Sequence, residues 1–300
     1  MVAQGTYPYD ITPGVVPGSD GAGTVLRVGK HVTRFQPGEK VITMLMPGLI
    51  AGLVTPQIAS RGLGASVDGT LRTVGAFNEQ GLIKMPECLS FTEAATLSCA
   101  GLTAWKALFG LVGKQVSAGQ WVLTQGTGSV STSAIQFAKA VGARVIATTG
   151  SNDKVEFLKT LGADHVINYR EDESWGASAK DLTGGVGVDL VVEVAGPSTL
   201  AQSKAAVKLD GTLAVVGFIG GQEGENVPTL LDTWMSLYTA RGVWVGKRLQ
   251  AEDMVRAIEA SLEKLRPVVD AKLFKLEQLK EALEYLSSGK NLGKVCISID

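Results

Sequence analysis

The 300-residue sequence contains little cysteine and histidine: Cys88, Cys99 and Cys296 lie far apart, and His31 and His165 are the only histidines. An odd, sparse set of thiols without a CxxC pair differs from the disulfide frameworks of small secreted domains. A structural zinc site needs four closely spaced ligands, usually Cys or His, and the sequence offers no such group. We therefore predict that the chain has no metal site.

Net charge and long apolar runs are also lacking. A formal net charge of −1 excludes an overall field that would attract nucleic acid or an anionic membrane. Apolar stretches such as 47–54 are too short and glycine-rich to span a bilayer, and residues 1–10 lack the pattern of a signal peptide. We expect a cytoplasmic protein whose partner is a small-molecule substrate.

The middle of the sequence alternates short apolar strands with helices. An amphipathic helix is predicted over 128–142, and a second over 153–161 ends at Gly162, a residue suited to a left-handed helix cap. Such alternation is typical of an α/β fold with a doubly wound parallel sheet, the Rossmann architecture. The six predicted strands cover 120–125, 144–149, 165–169, 189–195, 211–217 and 241–245.

The two ends of the chain have a different pattern. Residues 13–46 combine glycine-rich turns with short apolar runs, which predicts an antiparallel, barrel-like unit. Predicted strands over 268–274 and 294–299 return to this unit around a helix at 277–286. The resulting domain prediction is 1–91 plus 265–300 for the barrel-like domain and 92–264 for the Rossmann domain.

The segment 122–131 (VLTQGTGSVS) leaves a strand and enters a helix, as a GxGxxG-like phosphate-binding turn does. Gly126 permits the tight turn, and Gly128 lets the backbone approach a diphosphate next to the positive end of the helix. Ser131 replaces the third glycine with another small residue. The alternative interpretation is a glycine-rich joint that binds nothing. The remaining residues of the predicted binding turn are Thr127, Ser129 and Val130.

The second predicted strand ends in 146–151 (IATTGS), which carries no carboxylate. Sites selective for NAD usually place Asp or Glu at this position to hold the ribose hydroxyls. Here Ser151 can donate a hydrogen bond and Lys154 can supply positive charge, whereas Asp153 lies one step further on, where it offsets the helix dipole. The sequence therefore predicts NADPH rather than NADH.

Five segments together resemble the medium-chain dehydrogenase/reductase superfamily: 16–25 (VPGSDGAGTV), 35–41 (FQPGEKV), 94–105 (AATLSCAGLTAW), 126–131 (GTGSVS) and 161–169 (LGADHVINY). The sequence is most similar to the zinc-independent quinone oxidoreductase-like and alcohol dehydrogenase-like members. The resemblance implies a GroES-like catalytic domain beside the Rossmann domain. Relatives carry several tens of residues before the segment matching 7–18, so we expect a catalytic domain truncated at its N-terminus.

The resemblance also bears on zinc. Zinc-dependent relatives have a His ligand followed by Glu where this chain has Ser19 and Asp20, and Cys99 falls where they keep another ligand. A catalytic zinc needs three protein ligands, and one thiol does not supply them. Cys99 is then a small residue beside the cofactor.

By the same resemblance, Thr103 approaches the nicotinamide amide, and Ser151, Lys154 and Tyr169 surround the adenosine 2′-phosphate. Each assignment has an alternative, since Thr103 can bond its own helix and Tyr169 can simply end a strand. Two strand ends are expected to line the nicotinamide, and their residues are Val194, Gly196, Gly217, Phe218 and Ile219, of which Phe218 is alternatively a core residue.

These observations predict an NADPH-dependent reductase that passes hydride to a quinone or an α,β-unsaturated carbonyl. Tyr7 is the candidate proton donor, because a tyrosine near this position lines the cleft of similar quinone reductases, and the alternative role is a loop anchor. Rival interpretations are a biosynthetic enzyme acting on an enoyl intermediate, and a nucleotide- or partner-binding scaffold without redox turnover. The apolar edge strand at 242–245 predicts a homodimer.

Overall fold

The computed structural model describes residues 5, 7, 9–221 and 223–299 of the chain. The strands within them are β1 (Ala22–Thr24), β2 (Lys40–Thr43), β3 (Leu82–Lys84), β4 (Trp121–Gln125), β5 (Arg144–Thr149), β6 (His165–Asn168), β7 (Val188–Glu193), β8 (Val207–Val215), β9 (Thr239–Gly242), β10 (Val269–Lys275) and β11 (Lys294–Ser298).

The α-helices are α1 (Pro56–Ala59), α2 (Phe91–Ala95), α3 (Leu102–Phe109), α4 (Ser129–Ala140), α5 (Val155–Thr160), α6 (Trp175–Leu182), α7 (Leu200–Ala206), α8 (Leu230–Met235), α9 (Arg248–Ala260), α10 (Leu262–Leu265) and α11 (Leu279–Ser287). A π-helical turn, Leu97–Gly101, precedes α3. Short 3-10 turns occur at Glu79–Gly81, Asn152–Lys154 and Leu276–Gln278. Among the described residues, no helix has both the length and the apolar character needed to cross a membrane.

The chain divides into two compact units, Met1–Leu102 with Val245–Asp300, and Thr103–Trp244. The second unit contains a six-stranded sheet in the order β6-β5-β4-β7-β8-β9, and every neighbouring pair is parallel. This confirms the predicted doubly wound sheet. The chain moves outward from β4 in one direction and then returns to its other side with β7, so the topological switch point lies between β4 and β7.

The core of the second unit explains why its strands are so uniformly apolar. Leu123 on β4 pairs in register with Ile146 on β5 and with Val191 on β7. All three are fully buried, because helices cover the parallel sheet and exclude water from the strands. Trp175 and Ala179 of α6 pack in the same cluster.

The first unit contains an antiparallel sheet in the order β1-β2-β3, with Ile42 paired to Ala22 on one side and to Ile83 on the other. Its antiparallel pairing agrees with the predicted pattern. The tail strands β10 and β11 pair with each other in parallel, and Val269 lies opposite Lys294. Helix α11 connects them, so the tail forms a small β-α-β element.

The unit boundaries differ from those expected from the sequence, which placed 92–264 in the Rossmann domain. Helix α9 belongs to the first unit: the Arg248 amide donates to the Leu49 carbonyl at 2.9 Å, and Arg34 bonds Glu252 at 3.3 Å. The segment before α3 also belongs there, because the Ser98 hydroxyl donates to the Thr43 carbonyl at 2.7 Å. Such long-range polar contacts are invisible in the hydrophobic pattern.

The edge of the second sheet also differs from its predicted form. The edge strand β9 ends at Gly242, so most of the predicted segment 242–245 follows it. Val243 and Val245 are 3% and 2% exposed, and the Val243 amide donates to the Val215 carbonyl at 2.8 Å. These valines are therefore packed inside the protein and do not form an exposed pairing edge.

Candidate functional site

The turn between β4 and α4 has the geometry of an anion-binding site. Gly126 adopts a φ of +75°, which only glycine adopts readily. Gly128 is the exposed N-cap residue of α4, and no side-chain hydrogen bond caps this helix within the described residues. A Cβ atom built on either glycine meets nothing within 4 Å. The positive end of this 12-residue helix therefore carries no side-chain cap, and the space at the Cβ positions of both glycines is open.

Ser131 fixes this turn from within. Its hydroxyl donates to the Gln125 carbonyl at 2.5 Å, and the residue is 1% exposed. The hydroxyl is thereby engaged with the end of β4. A small residue at this position permits close helix–strand packing, which explains why the third glycine of the usual motif is dispensable here.

The residues predicted to contact the 2′-phosphate follow the ends of β5 and β6, and one of them, Lys154, reaches the β4–α4 turn. The Lys154 ammonium donates to the Thr127 hydroxyl at 3.2 Å, which joins the 3-10 turn after β5 to the β4–α4 turn. Tyr169 packs over Gly150, because a Cβ on Gly150 would lie 2.5 Å from the Tyr169 hydroxyl oxygen. Ser151 immediately follows Gly150 and is half-buried.

Arg170 is a cation that the sequence interpretation missed. Its Nε lies 3.2 Å from the same built Cβ position on Gly150, and the residue is exposed. The sequence signal was its place directly after Tyr169. Two cationic side chains, those of Lys154 and Arg170, therefore flank the end of β5, where a 2′-phosphate would need positive charge.

The residues expected to face the nicotinamide come together at the ends of β7 and β8. The Ile219 amide donates to the Val194 carbonyl at 3.2 Å. Gly196 has a φ of +87°, and a Cβ there would lie 2.8 Å from the Phe218 Cα, so the two loops touch through backbone atoms. Gly217 precedes this contact. Val194 is buried and Ile219 is 76% exposed, so Ile219 presents an apolar surface to solvent.

Thr103 lies in α3 and is 4% exposed. It is the first residue of the second unit. Its predicted contact with the nicotinamide amide remains a prediction.

The predicted catalytic residue, Tyr7, lies in the first unit. The rings of Tyr7 and Tyr9 meet edge to face, with their centroids 5.5 Å apart. Burial raises the pKa of Tyr7, and the neighbouring Cys99 and Tyr9 side chains raise it further. Tyr7 is half-buried, and its phenol therefore stays protonated throughout the neutral range. Cys99 lies in the π-helical turn and is partly exposed.

Asp20, which the sequence resemblance matches to a Glu of zinc-dependent relatives, is engaged in an ion pair. The Lys294 ammonium contacts its carboxylate, and the Ser19 hydroxyl donates to the same carboxylate at 3.3 Å. Burial lowers the pKa of Lys294, but Asp20 and Cys99 outweigh this effect and the net shift is upward. Within the described ranges, no three His, Cys, Asp or Glu side chains are grouped so that they could hold a metal ion.

Comparison with known proteins identifies the family of the chain. Residues 1–87 match the family model of the alcohol dehydrogenase GroES-like domain, and residues 129–260 match that of the zinc-binding dehydrogenases. The zinc-type alcohol dehydrogenase-like protein of Schizosaccharomyces pombe is 40% identical, over 100% of this chain and 86% of that protein.

Solved structures agree with this assignment. A Sinorhizobium meliloti protein of the alcohol dehydrogenase type aligns with a TM-score of 0.87 and 39% identity, over 98% of this chain and 84% of that chain. An NAD-dependent alcohol dehydrogenase aligns with a TM-score of 0.85 and 32% identity, over 97% of this chain and 84% of that chain. A Pseudomonas syringae quinone oxidoreductase aligns with a TM-score of 0.80 and 25% identity, over 98% of this chain and 85% of that chain. The chain therefore belongs to the medium-chain dehydrogenase/reductase superfamily, in which it is an alcohol dehydrogenase-like oxidoreductase.

Proposed function

We propose that the chain is an NADPH-dependent reductase that transfers hydride to a quinone or an α,β-unsaturated carbonyl without using zinc. The observation that carries the proposal is the open Gly126–Gly128 turn, which Lys154 joins to an acid-free β5 end. The similarity to a quinone oxidoreductase supports this substrate class. The similarity to an NAD-dependent alcohol dehydrogenase supports the competing assignment, so the experiments below compare both cofactors.

The described residues fit a dinucleotide phosphate. The amides at the start of α4 would hold the diphosphate, since no side chain caps them and they carry the positive end of the helix dipole. Lys154 and Arg170 would neutralise the 2′-phosphate, and Tyr169 would cover the adenosine. Carboxylates that would repel a 2′-phosphate are absent from 146–151.

When bound, NADPH supplies the hydride. The Tyr7 hydroxyl would give a proton to the enolate or hydroquinone oxygen of the reduced substrate, because its raised pKa keeps the phenol protonated at neutral pH. Ser19 replaces the first zinc ligand, and Asp20 is paired with Lys294. This local chemistry favours a substrate that is already electrophilic over an alcohol that a metal must activate.

Replacing Tyr7 tests the proton donor. We expect Tyr7→Phe to lower kcat about tenfold, below the effect typical of a general acid, because water can reach the half-buried side chain and substitute for it. The Kd for NADPH should not change. The matched control is Tyr9→Phe, which removes the neighbouring hydroxyl and should leave kcat unchanged. If Tyr7→Phe turns over at the wild-type rate, Tyr7 has no role in proton transfer.

Two measurements test the function as a whole. Thermal shift with NADPH and NADH measures binding, because a ligand that binds only the native state raises the apparent stability. NADPH consumption is then followed with a panel of quinones and enones, and NADP⁺ reduction with primary and secondary alcohols. Binding without turnover would favour the redox-silent scaffold, and turnover confined to enoyl thioesters would favour the biosynthetic enzyme. Alcohol oxidation that requires added zinc would contradict the proposal.

We further propose that the chain forms a homodimer through α8 and the turn that follows it. Leu230 and Trp234 of α8 are 88% and 74% exposed, and three neighbouring apolar side chains are also exposed. A cluster of exposed apolar side chains of this kind marks a candidate protein–protein interface. The three neighbours are Leu231, Met235 and Leu237.

Light scattering tests this assembly. The wild-type chain should have the mass of a dimer, and the double variant Leu230→Asp/Trp234→Asp should have the mass of a monomer, because a charge in an apolar interface is costly to bury. Leu53→Asp, at an 85% exposed position in the other unit, is the control and should leave the mass unchanged. A monomeric wild-type chain at micromolar concentration would refute the dimer.

A further inference from the structure

Glu193, the last residue of β7, is a fully buried carboxylate held by neutral groups. One of its oxygens accepts from the Ala195 amide at 3.0 Å, the Gly196 amide at 2.9 Å and the Thr199 hydroxyl at 2.7 Å. The other oxygen accepts from the Gln125 side-chain amide at 2.7 Å and from the Ser203 hydroxyl. The sequence signal for this arrangement was an acid at the end of the apolar run 190–192.

Within the described part of the chain, no lysine, arginine or histidine forms an ion pair with Glu193. Three of the five donors are N–H groups, which cannot accept a proton from the carboxyl group. Each oxygen therefore accepts from at least one N–H group, which is the hydrogen-bond pattern of a carboxylate. Hydrogen bonds from neutral groups take the place of an ion pair at this buried position.

Glu193 and Gln125 connect the two loops that the proposed function assigns to the cofactor. Gln125 is the last residue of β4, directly before Gly126, and its side-chain oxygen accepts from the Val194 amide at 3.0 Å and the Ala195 amide at 3.2 Å. The Glu193–Gln125 bond therefore spans the switch point between β4 and β7. A displacement of either loop would break hydrogen bonds to a buried charge.

We propose that Glu193 is a positioning residue that fixes the phosphate-binding turn relative to the nicotinamide-facing loop and favours the oxidised cofactor electrostatically. The inference rests on the proposed function. The oxidised nicotinamide ring is cationic and the reduced ring is neutral, so a negative charge behind Val194–Gly196 stabilises the oxidised form selectively. A reductase benefits from this bias, because the bias strengthens the reduced cofactor as a hydride donor.

The test is the ratio of two dissociation constants, measured by tryptophan fluorescence with NADP⁺ and with NADPH. In Glu193→Gln, Kd for NADP⁺ should rise about fivefold more than Kd for NADPH, because the variant removes the charge. Ser203→Ala keeps the charge and removes one donor, so both constants should rise by the same factor. An equal rise of both constants in Glu193→Gln would overturn the electrostatic role, because a purely structural defect cannot distinguish the two forms.

A second variant covers the case in which Glu193→Gln fails to fold. Thr199→Lys introduces a cation from a half-buried position next to the carboxylate, and it should shift the ratio in the same direction as Glu193→Gln. An unchanged ratio in Thr199→Lys would also overturn the proposal. If the wild-type chain binds neither NADP⁺ nor NADPH, the proposed function fails, and that outcome differs from a failure of this inference.

Discussion

Gly128→Asp is expected to raise the Kd for NADPH at least about 100-fold while leaving the protein as stable as the wild type. The new carboxylate would lie at the N-cap of α4, where it repels the diphosphate and accepts hydrogen bonds from the same amides. The backbone tolerates the substitution, because Gly128 has a φ of −72° and its Cβ position is open. Aspartate is also a preferred N-cap residue, so the melting temperature should not fall.

The matched control for this prediction is Ser174→Asp. Ser174 is the N-cap of α6 in the same unit and makes no capping hydrogen bond of its own, so the variant adds the same charge at another helix start. Its affinity for NADPH should remain within about twofold of the wild type. Isothermal titration calorimetry measures both constants. An unchanged Kd in Gly128→Asp would show that the diphosphate binds elsewhere.

Lys154→Ala is expected to weaken NADPH binding about 30-fold and NADH binding less than threefold, because a hydrogen bond to a charged group contributes about 2 kcal/mol. The two cofactors differ only in the 2′-phosphate, so their ratio isolates the contact of the Lys154 ammonium with that group. The probes 2′,5′-ADP and 5′-AMP allow the same comparison without redox chemistry.

Lys159→Ala on α5 is the control for Lys154→Ala, since Lys159 pairs with Glu156 at 2.9 Å on the exposed face of that helix. It removes an equal charge from the helix that Lys154 precedes and should leave both constants unchanged. An equal loss of affinity for NADPH and NADH in Lys154→Ala would refute the 2′-phosphate contact. A wild-type chain that prefers NADH would contradict the predicted cofactor itself.

The sequence predicted most of the second unit because its strands are buried on both faces. Continuous apolar runs produced β4, β5 and β7 within a few residues of their observed bounds. Gly162, with a φ of +106°, follows helix α5 as the glycine pattern predicted. The turn at Gly126 and Gly128 could also be predicted, because a strand, a glycine pair and a helix start are all local features.

The first unit was less predictable because its strands are short and its contacts are distant in sequence. Helix α9 has an amphipathic pattern typical of a crossover helix, but Arg34, more than 200 residues earlier, bonds its Glu252. The parallel pairing of β10 with β11 also depends on a chain return that no local periodicity reports. Exposure of the α8 apolar face appears only when the positions of all neighbouring elements are known.

The sequence by itself determined the parallel sheet, the glycine turn and the absence of a carboxylate after β5, because each is recorded in residue type and spacing along a short stretch. Only the tertiary structure decided which side chains meet at the site. It placed Arg170 beside Gly150, paired Asp20 with Lys294, and enclosed Glu193 among donors from β4, its own loop and α7. The contacts of Asp20 with Lys294 and of Glu193 with Gln125 join residues that are remote in sequence, and such hydrogen bonds depend on three-dimensional distance and direction rather than on composition.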